Sequence, residues 1–152
     1  MIRNGLHPSV ADLDLTGWTW PHFRAQELAC RCQGRFCEGE YFHDPVFLDA
    51  LEHLRAKMAR PLAINSARRC AGHNQAVGGV PGSWHTRTLA VDIGVTGWSL
   101  PARRALLAAS RSLGFGGIGL ARTFLHLDRR PLPASSRAVE WTYQPGGRDL
   151  WR

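Results

Sequence analysis

No stretch of this chain is apolar for long enough to cross a membrane, and no block of five or more basic residues occurs in it. The first absence excludes a helical membrane span. The second weakens a nucleic-acid reading, which prefers a clustered basic stripe. The opening residues, Met1-Ile2-Arg3-Asn4-Gly5-Leu6-His7-Pro8, lack the apolar core of a secretory signal. The chain is therefore expected to work in the cytoplasm, unless something else carries it out. Internal repeats and a domain linker are also missing, so 152 residues are expected to form one domain with a sizeable core. Cysteine is scarce: Cys30, Cys32, Cys37 and Cys70 are the four. Their C-x-C-x4-C run is not a standard zinc-finger spacing. Disulfides, a small metal site completed by Cys70 or His43, and reduced buried thiols all remain open. The missing export signal favours the last two over disulfides.

What is present is a globular composition, 44% hydrophobic and 20% charged, with a net charge of +7 from 19 basic and 12 acidic residues. Most of the basic residues are arginines scattered along the chain. Such a surface favours polyanions, including an anionic cell envelope.

Residues 1–22 read as an irregular arm, broken by Gly5, Pro8, Gly17 and Pro21 and pinned by Trp18, Trp20 and Phe23. The main domain is expected over 23–152. Asp44-Pro45 opens a helix, because Asp caps well and Pro at the first helical position forfeits no hydrogen bond. Phe47, Leu51, Leu54 and Met58 recur at helical steps on one face, and Pro61 ends the element. Leu62–Ser66 reads as a short strand, His73–Val77 as a helical turn, and Leu89–Val95 as a buried strand. Ser99 caps a second helix with Leu106, Leu107, Ala109 and Leu113 inside, and Gly114 suits the residue after its end. Residues 116–120 and 123–128 read as a hairpin, with Val139–Tyr143 as a last strand. This order predicts an α+β fold, a small, mostly antiparallel sheet packed against two helices.

Three short pieces carry chemistry: Ser83-Trp84-His85, Ala90-Val91-Asp92 and His126-Leu127-Asp128. They supply two imidazoles and two carboxylates. Two histidines and one carboxylate leave the fourth position of a tetrahedral zinc open, which distinguishes a catalytic site from a structural one. The other carboxylate is then free to handle protons beside an activated water. His85 and Asp92, seven apart, cannot share a face of one strand, so His85 is expected on a turning loop. His126 and Asp128, two apart, share a face. Taken singly, each of the seven histidines is more often a plain surface or core residue than a ligand.

Taken in order, the pieces resemble the zinc D-alanyl-D-alanine carboxypeptidase family. Its pattern runs Ser-Gly-x-Arg, a short helix with Asn, Gly-Gly, then Ser-x-His-x-x-Gly-x-Ala-x-Asp. A later Gly-Gly-x-Gly and apolar-x-His-x-Asp complete it. Here Ser66–Arg69, Asn74, Gly78-Gly79, Ser83–Asp92, Gly116–Gly119 and Phe124–Asp128 match, and Phe23–Leu28 resembles an N-terminal Phe-x-x-x-Glu-Leu. The resemblance spans about residues 23–130 and extends to phage L-alanyl-D-glutamate peptidases and the hedgehog signalling domain. It implies that His85, Asp92 and His126 bind Zn2+ and that Arg69, rather than Arg68, holds a substrate carbonyl or oxyanion. It also makes Asp128 the candidate general base. Some relatives carry that base three residues before the last histidine, where Thr123 stands here. A second-sphere role for Asp128, orienting a ligand histidine, is the alternative, and Glu140 or another acid from elsewhere in the chain could supply the base instead. Ser83 and Trp84 are candidate substrate contacts, and Trp141 and Tyr143 candidate cleft walls. Loops 31–43 and 128–138 are expected to close the pocket. Thr88 replaces a family glycine, which predicts a reshaped loop between His85 and Asp92.

The expected function is a zinc peptidase of peptidoglycan stem peptides, reaching the wall after lysis or by phage-assisted delivery. It is expected to act as a monomer without nucleic acid. The alternative is a zinc-containing binding domain of the same fold that catalyses nothing; a nucleic-acid knuckle built on the cysteines fits the spacing poorly.

Overall fold

The computed structural model describes all 152 residues. Two short strands, β1 (Gly5–His7) and β2 (Tyr41–His43), pair antiparallel in a sheet of their own. The N-terminal stretch therefore holds a strand where its breakers predict none. Trp20 and Phe23 are buried as expected, and Trp20 Nε1 donates to Asp49 at 2.8 Å.

Helix α1 (Pro45–Met58) begins where its cap predicts: the Phe47 amide donates to Asp44 Oδ1 at 3.1 Å. It ends before Pro61, because Ala59 turns left-handed at φ 51°. Then follow β3 (Ile64–Ser66), α2 (Ala71–Ala76), the single turn α3 (Trp84–Arg87) and β4 (Ala90–Gly94). Helix α4 (Leu100–Ser112) is capped by Ser99, whose Oγ accepts the Ala102 amide at 3.3 Å. Gly114, at φ 81°, takes the left-handed turn that ends it. Strands β5 (Gly117–Leu120), β6 (Phe124–Asp128) and β7 (Val139–Thr142) complete the sheet. A final 3-10 turn, Gly147–Trp151, was not legible beforehand; it buries Trp151, whose Nε1 donates to the Ala121 carbonyl at 3.0 Å.

The main sheet runs β3-β4-β6-β5-β7, antiparallel except for the parallel β5–β7 pair. Its two faces differ because strand side chains alternate. Val91, Ile93, Ile118, Leu120, Leu125 and Leu127 are fully buried in the core with Leu48, Leu51, Leu54 and Leu106 of α1 and α4. Each such side chain contributes about 1.5–3 kcal/mol on leaving water. The opposite face carries Asp92 of β4, His126 and Asp128 of β6, and Gly117 and Gly119 of β5.

Arg111 of α4 grips β7 through Glu140, with Arg111 Nη2 donating to Glu140 Oε2 at 2.9 Å. Arg111 hydrogen bonding holds the Glu140 pKa below its usual value. This stabilisation is present above the ordinary carboxylate range and lost as pH falls through the folded-state pKa. Glu140→Gln is expected to cost at most about 1 kcal/mol at neutral pH, since the pair is partly solvated. The difference should shrink as pH falls below the ordinary carboxylate range, and thermal melts of the two proteins at successively lower pH should converge.

Candidate metal centre and cleft

Asp92 and His126 face each other across β4 and β6 as direct register partners. His85 reaches them from α3, so it stands on a helical turn rather than an open loop. Ser83 caps that turn, its Oγ accepting the His85 amide at 3.3 Å. All three side chains are buried. His85 Nε2 and His126 Nδ1 stand 3.1 Å apart, and each lies 3.0 Å from Asp92 Oδ1. Zn–N and Zn–O bonds of about 2.0–2.1 Å separate tetrahedral ligand atoms by about 3.3–3.4 Å. The triangle therefore needs to open by only a few tenths of an ångström to seat zinc.

The other nitrogen of each ring is tied down. His85 Nδ1 donates to the Ala67 carbonyl at 2.6 Å, and His126 Nε2 donates to Asp128 Oδ2 at 2.8 Å. Anchored outer nitrogens fix the tautomer and aim the free lone pair inward, as metal-binding histidines require. The chemistry of the set, two imidazole nitrogens and one carboxylate with both outer nitrogens engaged, fits a catalytic metal.

The charges are strongly coupled. Burial works against ionised Asp92, but hydrogen bonds from His126 and His85 outweigh it and hold its pKa well below the carboxylate range. Burial likewise opposes charge on His126, yet its bonds to Asp128 and Asp92 leave its pKa raised.

Asp128 is fully buried and does not line the cleft. It stands behind His126, across from Gly117 of β5, where a Cβ would strike its carboxylate. Arg130 grips it through Nε at 2.9 Å and Nη2 at 2.6 Å. The expected proton carrier is thus placed away from the open side of the triangle. Glu140 is also outside the cleft, engaged by Arg111 and Arg148.

Arg69 does line the cleft, and three acceptors hold its guanidinium. Nε donates to Ser66 Oγ at 2.9 Å, Nη1 to Asn74 Oδ1 at 3.2 Å and Nη2 to Asp92 Oδ2 at 3.3 Å. Gly79 lets the following loop pass over this group, since a Cβ there would strike Asn74. Arg68 points elsewhere and pairs with Glu40 at 3.1 Å.

The cleft encloses about 730 Å³. Ser83, Trp84, Trp141 and Tyr143 line it as expected. Of the loops expected to close it, 128–138 contributes only Arg130 and 31–43 contributes nothing; residues 77–84 form that wall instead. The physical reason is that β1–β2 pairing and the cysteine cluster hold 31–43 elsewhere.

Arg130 is the cleft residue missed beforehand. Its guanidinium lies 4.7 Å from the Trp141 ring centre and 5.5 Å from that of Trp84, while holding Asp128. Period-2 spacing was the available signal: His126, Asp128 and Arg130 fall on one face. Gly119 completes this face. A Cβ there would lie 2.7 Å from Trp141 and 2.8 Å from Tyr143. Gly119→Ala is expected to displace both rings and cost about 1–3 kcal/mol. A lower melting temperature with an altered near-ultraviolet tryptophan signal is the measurement.

Thr88 sits at φ −136°, ψ −159°, extended backbone that any residue adopts. The expected reshaping of the loop has no backbone cause here.

This two-layer fold and buried His-Asp-His centre define the class as metallopeptidase-like. The chain matches the Peptidase M15 family over residues 21–128 and belongs to it. It is therefore a peptidase, a hydrolase of the metallopeptidase type. A comparison with curated proteins gave no match. No helix is long and apolar enough to cross a membrane.

Proposed function

We propose that this peptidase is zinc-dependent and hydrolyses peptide bonds in the stem peptides of bacterial peptidoglycan, as a D-Ala carboxypeptidase or an endopeptidase. The supporting observation is the convergence of three ligand atoms, from His85, Asp92 and His126, on the floor of an open cleft. Zinc bound there supplies a Lewis acid that polarises a carbonyl and acidifies water.

This chain's own residues do the rest. Arg69, fixed by three acceptors, receives the substrate carbonyl oxygen as negative charge grows on it. Trp84, Trp141 and Tyr143 offer flat apolar walls to the peptide. Arg69 and Arg130 make the cleft cationic, which suits a peptide bearing free carboxylates, and the net charge of +7 suits an anionic wall. Asp128 holds a proton-bearing Nε2 on His126 and keeps the opposite nitrogen aimed at the metal. Its burial behind the ring favours this positioning role over direct proton transfer from water.

The test is zinc analysis with digestion of purified peptidoglycan and synthetic stem peptides. The wild type should carry zinc and release peptide fragments. Asp128→Asn should weaken zinc binding or lower activity about 10–100-fold. Added zinc should restore part of the loss if Asp128 acts by positioning. Activity lost at full zinc occupancy would instead make Asp128 the base. Zinc without cleavage of any wall peptide would overturn the substrate assignment.

A further inference from the structure

The four cysteines, which the peptidase chemistry does not use, come together. Cys30, Cys32, Cys37 and Cys70 place their sulfurs within 4.8 Å of one another, and none is bridged to another. Cys32 and Cys37 Sγ lie 3.5 Å apart. Zn–S bonds of about 2.3 Å put the sulfurs of a tetrahedral site about 3.8 Å apart. The cluster is thus already near the spacing that one ion of this size demands.

Each sulfur also accepts a backbone amide. Cys37 N–H donates to Cys32 Sγ, Glu40 N–H to Cys37 Sγ, Cys70 N–H to Cys30 Sγ and His73 N–H to Cys70 Sγ, all at 3.4 Å. Amide donors offset negative charge on sulfur, so each of these contacts would support a metal-bound thiolate; burial alone pushes the Cys30 and Cys37 thiols up, a cost that a bound cation would offset. Three of the four cysteines are buried, and they form a cluster of sulfur side chains apart from the main core.

The surrounding chain needs such a staple. Residues 30–39 contain no helix or strand, and Gln33, Gly34 and Gly39 all take positive φ. The cluster joins this turn to Cys70, directly before α2 and directly after Arg69.

We propose that Cys30, Cys32, Cys37 and Cys70 bind a second, structural Zn2+ in a closed tetrathiolate site that fixes the 30–39 turn against the start of α2. Binding displaces four thiol protons, and two positive charges against four thiolates leave the site at −2. All four positions are filled by protein, so this ion activates no water. The C-x-C-x4-C run showed no standard spacing because the fourth ligand comes from a separate element.

The experiment is metal analysis and cobalt substitution on the full chain, purified under reducing conditions. The wild type should hold two zinc ions per chain, one for each cluster. The double variant His85→Ala/His126→Ala should keep one, and with cobalt in its place should show sulfur-to-cobalt charge-transfer absorption. Cys32→Ser/Cys37→Ser should lose that absorption. Where that variant fails to fold, thiol alkylation of the wild type decides: the four thiols should resist reagent until a chelator strips the ion. A histidine variant without zinc or charge transfer, a cysteine pair found oxidised, or iron in place of zinc would overturn the proposal. The histidine variants separate the two sites, so failure of this zinc and failure of the peptidase zinc give different results.

Discussion

His126→Ala is expected to empty the peptidase metal centre and abolish hydrolysis while leaving the protein folded. Three atoms that could hold the metal meet in this triangle, and the variant leaves only those of Asp92 and His85. Losing a direct ligand should weaken binding by more than the roughly 10–100-fold caused by loss of a ligand's supporting partner. The fold should survive, because neither orphaned carboxylate is left alone. Asp92 keeps His85 and Arg69, and Asp128 keeps both arms of Arg130. The Trp141 ring, 5.3 Å from that of His126, loses a neighbour, so a cost of about 1–3 kcal/mol is expected. Elemental analysis, peptide digestion and a thermal melt read the three effects separately. Undiminished turnover would place the reaction elsewhere.

Arg69→Met is expected to keep the metal and lose the rate. A preorganised donor to a developing oxyanion is worth about 10²–10³ in kcat. Arg69 has that preorganisation, because Ser66, Asn74 and Asp92 fix its plane before substrate arrives. Arg69→Lys should recover little, since an ammonium cannot satisfy three acceptors with one planar fork. Kinetics at saturating peptide, alongside metal content, are the measurement. A raised KM with unchanged kcat would reduce Arg69 to a ground-state contact.

The readable parts of this molecule were those written within a few residues. Asp44-Pro45 and Ser99 began their helices as expected, and Gly114 followed the second one in the left-handed turn. His126 and Asp128 shared a face because strand periodicity requires it. The ordered motifs pointed to the family that the chain belongs to. Arg130 was legible by the same period and was passed over. The N-terminal strand was hidden because its partner lies more than thirty residues on, and Gly5 and Pro8 read locally as breakers.

By itself, then, the sequence determined the two long helices and the main-sheet strands, which strand residues share a face, and which residue types a metal could use. Propensity, capping and side-chain alternation act over one or two turns, so they are visible in the linear order. Only the tertiary structure decided that His85 swings in from a helical turn to meet β4 and β6 and that Cys70 closes the cysteine cluster. It also decided that Asp128 stands behind His126 instead of in front of it, and that β7 joins β5 in parallel. Those outcomes depend on how one apolar sheet face packs beneath α1 and α4, and that packing is set by contacts between residues far apart in the chain.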